Sequence, residues 1–321
     1  APPPRGGGET PAGSDTILLG LVGALTGGQA TFGISTRNGI ELALKEANAE
    51  GGVKGKKLVA RVYDNQGRPE EAAQAVTRLI TQDNVAIILG DVASSNSLAM
   101  AEKAQAAKVP MITPASTNTA VTQKGDYVFR RKFTEMGGKV TAVESYSQGD
   151  TDFRAQLTSI KNTRPDAIYV PGYYSDVGVI ARQARELGLT VPLMGGDGWD
   201  SEKLFELAGN ALDGSYFSNH YSPDNPDPKV QKFISDYKAA YGGVPDALAA
   251  LGYDSAKVAI AAIGKAKDLS GPAIRDAIAQ TKDFPGVAGT ISLDENRNAV
   301  KPAVVLKVGD GKTSFVTTIN P

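Results

Sequence analysis

The 321-residue sequence contains no cysteine, which excludes disulfide scaffolds, thiolate metal centres and thiol nucleophiles. It has a single histidine, His220, so a multi-histidine metal site is impossible and any histidine-based triad would depend on that one position. No run of eighteen apolar residues occurs, and so no stretch of the length that usually spans a bilayer. Charge of one sign is lacking too: 34 basic and 35 acidic residues leave a formal net charge of −1. Without a long run of either sign, a nucleic-acid surface or a polybasic membrane patch is disfavoured. The first residues lack the charged and apolar regions of a secretory signal. Instead residues 1–15, Ala-Pro-Pro-Pro-Arg-Gly-Gly-Gly-Glu-Thr-Pro-Ala-Gly-Ser-Asp, cannot bury apolar surface. They read as a flexible tether that suits an exported or lipid-anchored chain, with a plain disordered tail the equal alternative on composition.

What is present is regular. The length exceeds what one hydrophobic core supports, so two domains are expected. From Thr16 onward short Val/Ile/Leu-rich runs alternate with stretches of helical periodicity, the pattern of βα units and a parallel sheet. The first series predicts strands over 16–24, 57–64, 85–89 and 109–113, helices over 30–49 and 69–82, a helix opening at Ser94, and a short extended segment over 127–130. A second series predicts strands over 139–146, 167–171 and 192–195 with helices over 153–161 and 176–187. The Pro-rich stretch 222–228 interrupts it. Helices over 229–241, 246–265 and 271–280 then complete the first domain. Strands over 289–293 and 303–308 are expected to flank a hairpin-like turn at 294–298.

In open parallel sheets ligands bind beyond the carboxyl ends of the strands, where helix N-termini offer unpaired N–H groups. Those loops contain Leu25-Thr-Gly-Gly28 followed by Phe32, then Gly90-Asp-Val-Ala-Ser-Ser95, then Thr113-Pro-Ala-Ser-Thr117. Ser94 and Thr117 can donate hydroxyls to an anion, with the N–H groups of Ser95 and Thr117 beside them. Taken singly, Ser94 is as readily a helix cap and Thr117 a turn residue; their convergence favours a carboxylate cradle. The second series adds Val170-Pro-Gly-Tyr-Tyr174 and Met194-Gly-Gly-Asp-Gly-Trp199 at strand ends. Asp197 between glycines can pair with a ligand ammonium, though it can also be a simple turn residue. Tyr173 and Trp199 can wall a pocket or serve as ordinary packing. Neither a G-x-G-x-x-G nor a P-loop pattern occurs, so nucleotide phosphate fits less well than carboxylate. Segments 64–69 and 294–298 have calcium-loop colouring but lack the ligand spacing, so turns and caps are expected. His220 has no recognisable catalytic partner and reads as a surface or hinge residue.

Gly23-Ala-Leu-Thr-Gly27, Gly39-Ile-Glu-Leu-Ala43, Asn48-Ala-Glu-Gly-Gly52, Tyr63-Asp64, Met111-Ile-Thr-Pro-Ala-Ser-Thr117 and Gly149-Asp-Thr-Asp-Phe153 closely resemble the leucine/isoleucine/valine-binding-protein family over nearly everything after residue 15. The resemblance implies a type I periplasmic-binding α/β fold, two doubly wound parallel-sheet lobes joined by a multi-strand hinge. Residues 16–129 with 222–300 would form lobe 1, and 130–221 with 301–321 lobe 2. It implies an extracytoplasmic receptor of an ABC importer, a monomer with no cofactor, metal or nucleic acid, working with a membrane permease. Ala93, Ser94, Ala115 and Thr117, beside Ser95 and Ser116, match the positions that hold the ligand α-carboxylate. Asp197 matches the acidic position that takes the α-ammonium, and Tyr173 an aromatic beside it. Phe32 stands where many members have tyrosine. A branched-chain or similar aliphatic amino acid is the expected ligand; an amino-acid or amide sensor of the same fold, and more remotely a hydrolase, are the alternatives.

The sequence departs from the family at Phe129-Arg-Arg-Lys-Phe133, where members have roughly forty to fifty further residues, more than one βαβ unit of about thirty. The segment expected to be missing between Arg130 and Arg131 contains the first strand of the second lobe with its flanking helices. In a doubly wound sheet that strand is central, so its loss leaves neighbouring backbone unpaired.

Overall fold

In the computed structural model of the chain, residues 15–116, 118, 137–147 and 149–320 are described. The expected tether over residues 1–15, except for Asp15, lies outside them, as do the extended segment 127–130 and Thr117. In chain order the elements are β1 (Thr16–Gly23), α1 (Ala30–Ala49), β2 (Lys57–Asp64), α2 (Pro69–Thr81), β3 (Ile87–Leu89), α3 (Ser94–Ala107) and β4 (Met111–Ile112). Then come α4 (Arg154–Asn162), β5 (Ile168–Tyr169), α5 (Tyr174–Glu186), β6 (Leu193–Gly195), α6 (Glu202–Ala208) and β7 (Tyr216–Asn219). The chain ends with α7 (Pro228–Tyr241), α8 (Ala247–Lys265), α9 (Gly271–Ala279), β8 (Phe284–Gly286), β9 (Gly289–Leu293), β10 (Ala299–Val300), β11 (Ala303–Gly309) and β12 (Lys312–Ile319). These divide into two compact units, residues 1–124 with 225–301 and residues 125–224 with 302–321.

The first unit is built on a parallel sheet of order β2-β1-β3-β4. Strand β1 is apolar on both faces because helices cover both. Ile17, Leu19 and Leu21 pack with Ile40 and Leu44 of α1 and with Ala256, Ala259 and Ile263 of α8. Val22, on the other face, joins Ala72, Val76 and Leu79 of α2 and Met100 and Ala104 of α3. Each of the larger side chains among them, Ile, Leu, Val and Met, contributes about 1.5–3 kcal/mol through burial. Helices α1 and α8 cross at backbone distance: a Cβ on Gly39 would lie 2.0 Å from the Ala249 carbonyl oxygen, and one on Gly252 2.4 Å from that of Thr36. By length and composition α8 is apolar enough to cross a membrane, yet 72% of its most apolar window is buried in the protein, as for a core helix.

The second unit holds a five-stranded sheet of order β12-β11-β7-β6-β5. Strands β5, β6 and β7 are parallel, and β11 and β12 join antiparallel. One face is buried: Ile168, Leu193, Phe217 and Leu306 are 7%, 0%, 2% and 2% exposed. The residues paired across the other face, Tyr169, Met194, Tyr216 and Lys307, are exposed or half-buried.

Two sequence expectations change here. Residues 139–146 alternate as a strand should but form none. A strand needs a hydrogen-bonding neighbour, and none flanks this segment among the described residues. The turn 294–298 does make a hairpin, but it joins β9 to the short β10; β11 pairs instead with β7 and β12 in the other unit.

Candidate functional site

In the first unit the predicted residues gather at the carboxyl ends of β3 and β4. Ala93 is the N-cap of α3 and offers no capping side chain, so Ser94 opens the helix rather than capping it. The first-turn N–H groups that follow have no intrahelical acceptors. The Ser94 hydroxyl accepts from the Asn118 N–H at 3.1 Å. Ser95 is exposed, while Ala115 and Ser116 are half-buried.

Asp91 shapes this loop. Its buried carboxylate accepts from the Ala93 N–H at 2.7 Å and from the side-chain amides of Asn65 and Asn96 at 2.5 and 3.2 Å. Its backbone carbonyl accepts from the hydroxyls of Ser97, Thr113 and Ser116 at 2.9, 2.5 and 3.2 Å. Burial pushes the Asp91 carboxyl above the ordinary aspartate range, and the amide donors work against that shift. The preceding loop is held by Asp64, which accepts from the N–H groups of Leu25 and Gln66 at 2.9 and 2.8 Å and from the Thr26 hydroxyl at 2.5 Å. Burial alone would raise the Asp64 carboxyl, but these bonds hold it below its ordinary value. Segment 64–69 is thus a turn and helix start, as expected. Phe32, in the first turn of α1, is 2% exposed.

In the second unit Tyr173 is the N-cap of α5, and Asp197 opens a short 3-10 helix over Asp197–Trp199. Gly198 permits their close approach, since a Cβ there would lie 2.6 Å from the Gly172 carbonyl oxygen and 3.2 Å from the Tyr173 ring. Trp199 is 1% exposed, donates its indole N–H to the Val170 carbonyl at 3.2 Å and lies 5.9 Å from the Phe217 ring. It is packing beneath the loop, the plainer of its two readings. A Cβ on Gly195 would fall 2.1 Å from the indole, so glycine is what lets the ring lie there.

His220 is a correction. Far from lacking a partner, it places Nε2 3.0 Å from Asp197 Oδ2. The two are 23 residues apart, at the ends of the adjacent parallel strands β6 and β7. No local motif could show this pairing; only the strand order brings the two loops together. The contact sets the orientation of the Asp197 carboxylate.

In parallel α/β units the strand-end loops are where small ligands commonly bind. The comparisons narrow this. A Periplasmic binding protein family model matches residues 16–131 and 115–313, and the chain belongs to that family. It is 36% identical to a leucine binding protein, LivK, of Thermotoga maritima, with a TM-score of 0.89 over 95% of this chain and 99% of that one. It is 32% identical to the branched-chain amino acid transporter substrate binding protein LivJ of Streptococcus pneumoniae in complex with isoleucine, with a TM-score of 0.88 over 95% of this chain and all of that one. The Leu/Ile/Val-binding protein BraC3 of Rhizobium johnstonii is 26% identical over 87% of this chain and 88% of its own length. These relatives are binding proteins rather than enzymes, in line with the expectation from the sequence.

Proposed function

We propose that this protein is the extracytoplasmic receptor of an ABC importer and binds a branched-chain or similar aliphatic amino acid. The observation that carries the reading is the start of α3. An alanine occupies the cap, serine hydroxyls flank it, and a buried aspartate braces the loop from behind. Such a helix start attracts a carboxylate through unpaired N–H groups and the helix dipole. Asp197, oriented by His220, supplies the opposite charge for an α-ammonium, with Tyr173 beside it. Thr117 is assigned to the carboxylate end, with Ala93, Ser94 and Ala115. Similarity to a leucine binding protein and to a relative in complex with isoleucine supports the ligand class, and a membrane permease is the implied partner. A lipid anchor through the N-terminal tether belongs to the same reading.

The test is calorimetric titration with leucine, isoleucine and valine. Ser94→Ala and Asp197→Ala are each expected to weaken binding by about 2 kcal/mol, roughly 30-fold, as for loss of a charge-assisted bond. Undiminished affinity in both variants removes the site assignment. Absence of heat with every amino acid removes the ligand class.

A further inference from the structure

The contact between Asp197 and His220 joins the carboxylate assigned to the ligand ammonium to an imidazole, and both backbones are clamped. Asp197 lies two residues past the end of β6, where the Gly196 and Asp197 carbonyls accept from the Trp199 and Asp200 N–H groups at 3.1 and 3.0 Å. His220 follows β7 directly, between Asn219 and Tyr221, which are 2% and 3% exposed. Its own N–H donates to the Asn219 side-chain carbonyl at 2.8 Å. The two facing side chains remain about a quarter exposed, 24% for the histidine and 27% for the aspartate. The pair is thus fixed in place and still exchanges protons with solvent.

Histidine is the side chain whose ordinary charge change falls between about pH 5 and 8. An ionised carboxylate only accepts, so Nε2 carries a proton in this contact and a second proton enters at Nδ1. With the ring neutral, the pair holds one net negative charge and attracts an ammonium. With the ring charged, the imidazolium sits 3.0 Å from the carboxylate, cancels its charge and repels a second cation brought to it. A proton on the histidine and an ammonium on the aspartate therefore oppose one another, and by linkage each weakens the binding of the other by the same factor.

We propose that His220 makes ligand binding proton-linked: capture of an amino acid expels a proton from the imidazole, and acidification releases the ligand. This rests on the assignment of Asp197 to the ligand ammonium. The neighbouring titratable groups come from each flanking element. Tyr169, at the end of β5, has its phenol pushed up by burial and by the Asp197 charge, and stays neutral. Tyr173, at the start of α5, borders the Asp197 loop at Gly198. Asp200 and Asp224 lie farther along the two loops, and Asp224 accepts from the Phe315 N–H at 3.3 Å. Lys307, on β11 beside β7, lies over the Tyr216 ring at the opposite end of that strand, 5.9 Å from its centroid.

Because the sequence has a single histidine, the untagged protein gives one imidazole signal in NMR. Its titration midpoint is expected to move down when the tightest binder among leucine, isoleucine and valine is added to saturation. In calorimetry the affinity for that amino acid should fall about tenfold from about pH 8 to about pH 5.5, a coupling of ordinary size. In His220→Gln, whose amide can still donate to Asp197, the ratio between the same two pH values should drop below about threefold. Asp91 and Asp254, whose carboxyls burial pushes up, are untouched in that variant, so a slope that survives the substitution belongs elsewhere and overturns the proposal. A midpoint that stays or rises on adding the amino acid overturns it too, and leaves the ligand class standing. If none of the three amino acids binds at about pH 8, the ligand class and this inference fall together.

Discussion

The two units use the same βα grammar but differ in how their sheets are clothed. In the first, β1 buries one face under α1 and α8 and the other under α2 and α3. In the second, Phe217 and its neighbours are buried while the row through Met194 lies open. The site loops inherit this difference. Ala93 and Ser94 sit on a loop braced by a buried carboxylate and three hydroxyls. Asp197 is set by one histidine and by tight packing over Trp199. A strand end is thus held either by polar bonds in a closed core or by close packing on the covered side of a sheet.

The sharpest test of that contrast compares two substitutions on opposite faces of one sheet. Phe217→Ala should destabilise the second unit by about 3–5 kcal/mol through loss of a packed aromatic, whereas Met194→Ala in the 321-residue chain should cost less than about 1 kcal/mol. Urea unfolding followed by fluorescence of Trp199, the single tryptophan, reports the second unit alone; equal costs would break the comparison.

Acidity separates the units next. Asp254 is buried in α8 and accepts from the N–H groups of Val287 and Ala288, both at 2.8 Å. Burial pushes its carboxyl up to about 6. Because the folded value exceeds the unfolded one, the associated stability is fully present below pH 4 and is lost as pH rises through about 6. Asp91 shifts in the same direction. The first unit should therefore gain up to about 3 kcal/mol, a shift of about two units, when pH falls from 7 towards 4. The tryptophan-reported transition should move less. A first-unit transition indifferent to pH would contradict burial as the cause.

Asp91→Asn should follow at about 1–3 kcal/mol of lost ligand affinity, since it keeps the size but disrupts the acceptors of Ala93, Asn65 and Asn96. His220→Ala should change affinity least, by under tenfold, as it orients a partly exposed Asp197. If it matched the loss from Asp197→Ala, the histidine would itself contact the ligand.

Much of this was legible from pattern. Periodicity placed α1 over 30–49 and β2 over 57–64 at the observed bounds, and Pro69 marked the start of α2. The loops carrying Ser94, Ser116, Tyr173 and Asp197 were found because strand ends in such sheets are where helix starts become available. What escaped were relations set by the order of strands. His220 is 23 positions from Asp197 and reaches it through adjacent strands. The partner of β11 is β7, not the nearby β9. The alternation of 139–146 suggested a strand, but the segment forms none, since a strand exists only where another backbone completes it.

The glycine crossing of α1 and α8 has a consequence for when folding can finish. Gly39 and Gly252 are separated by roughly 200 residues, and at about 5–20 residues per second a ribosome needs on the order of 10–40 s to deliver the second after the first. Until then the α1 side of β1 lacks Ala256, Ala259 and Ile263, so the first unit cannot close around its core. The nascent chain is thereby kept open through most of its synthesis by its own connectivity, the state in which a polypeptide can be handed to a chaperone or threaded through a translocon.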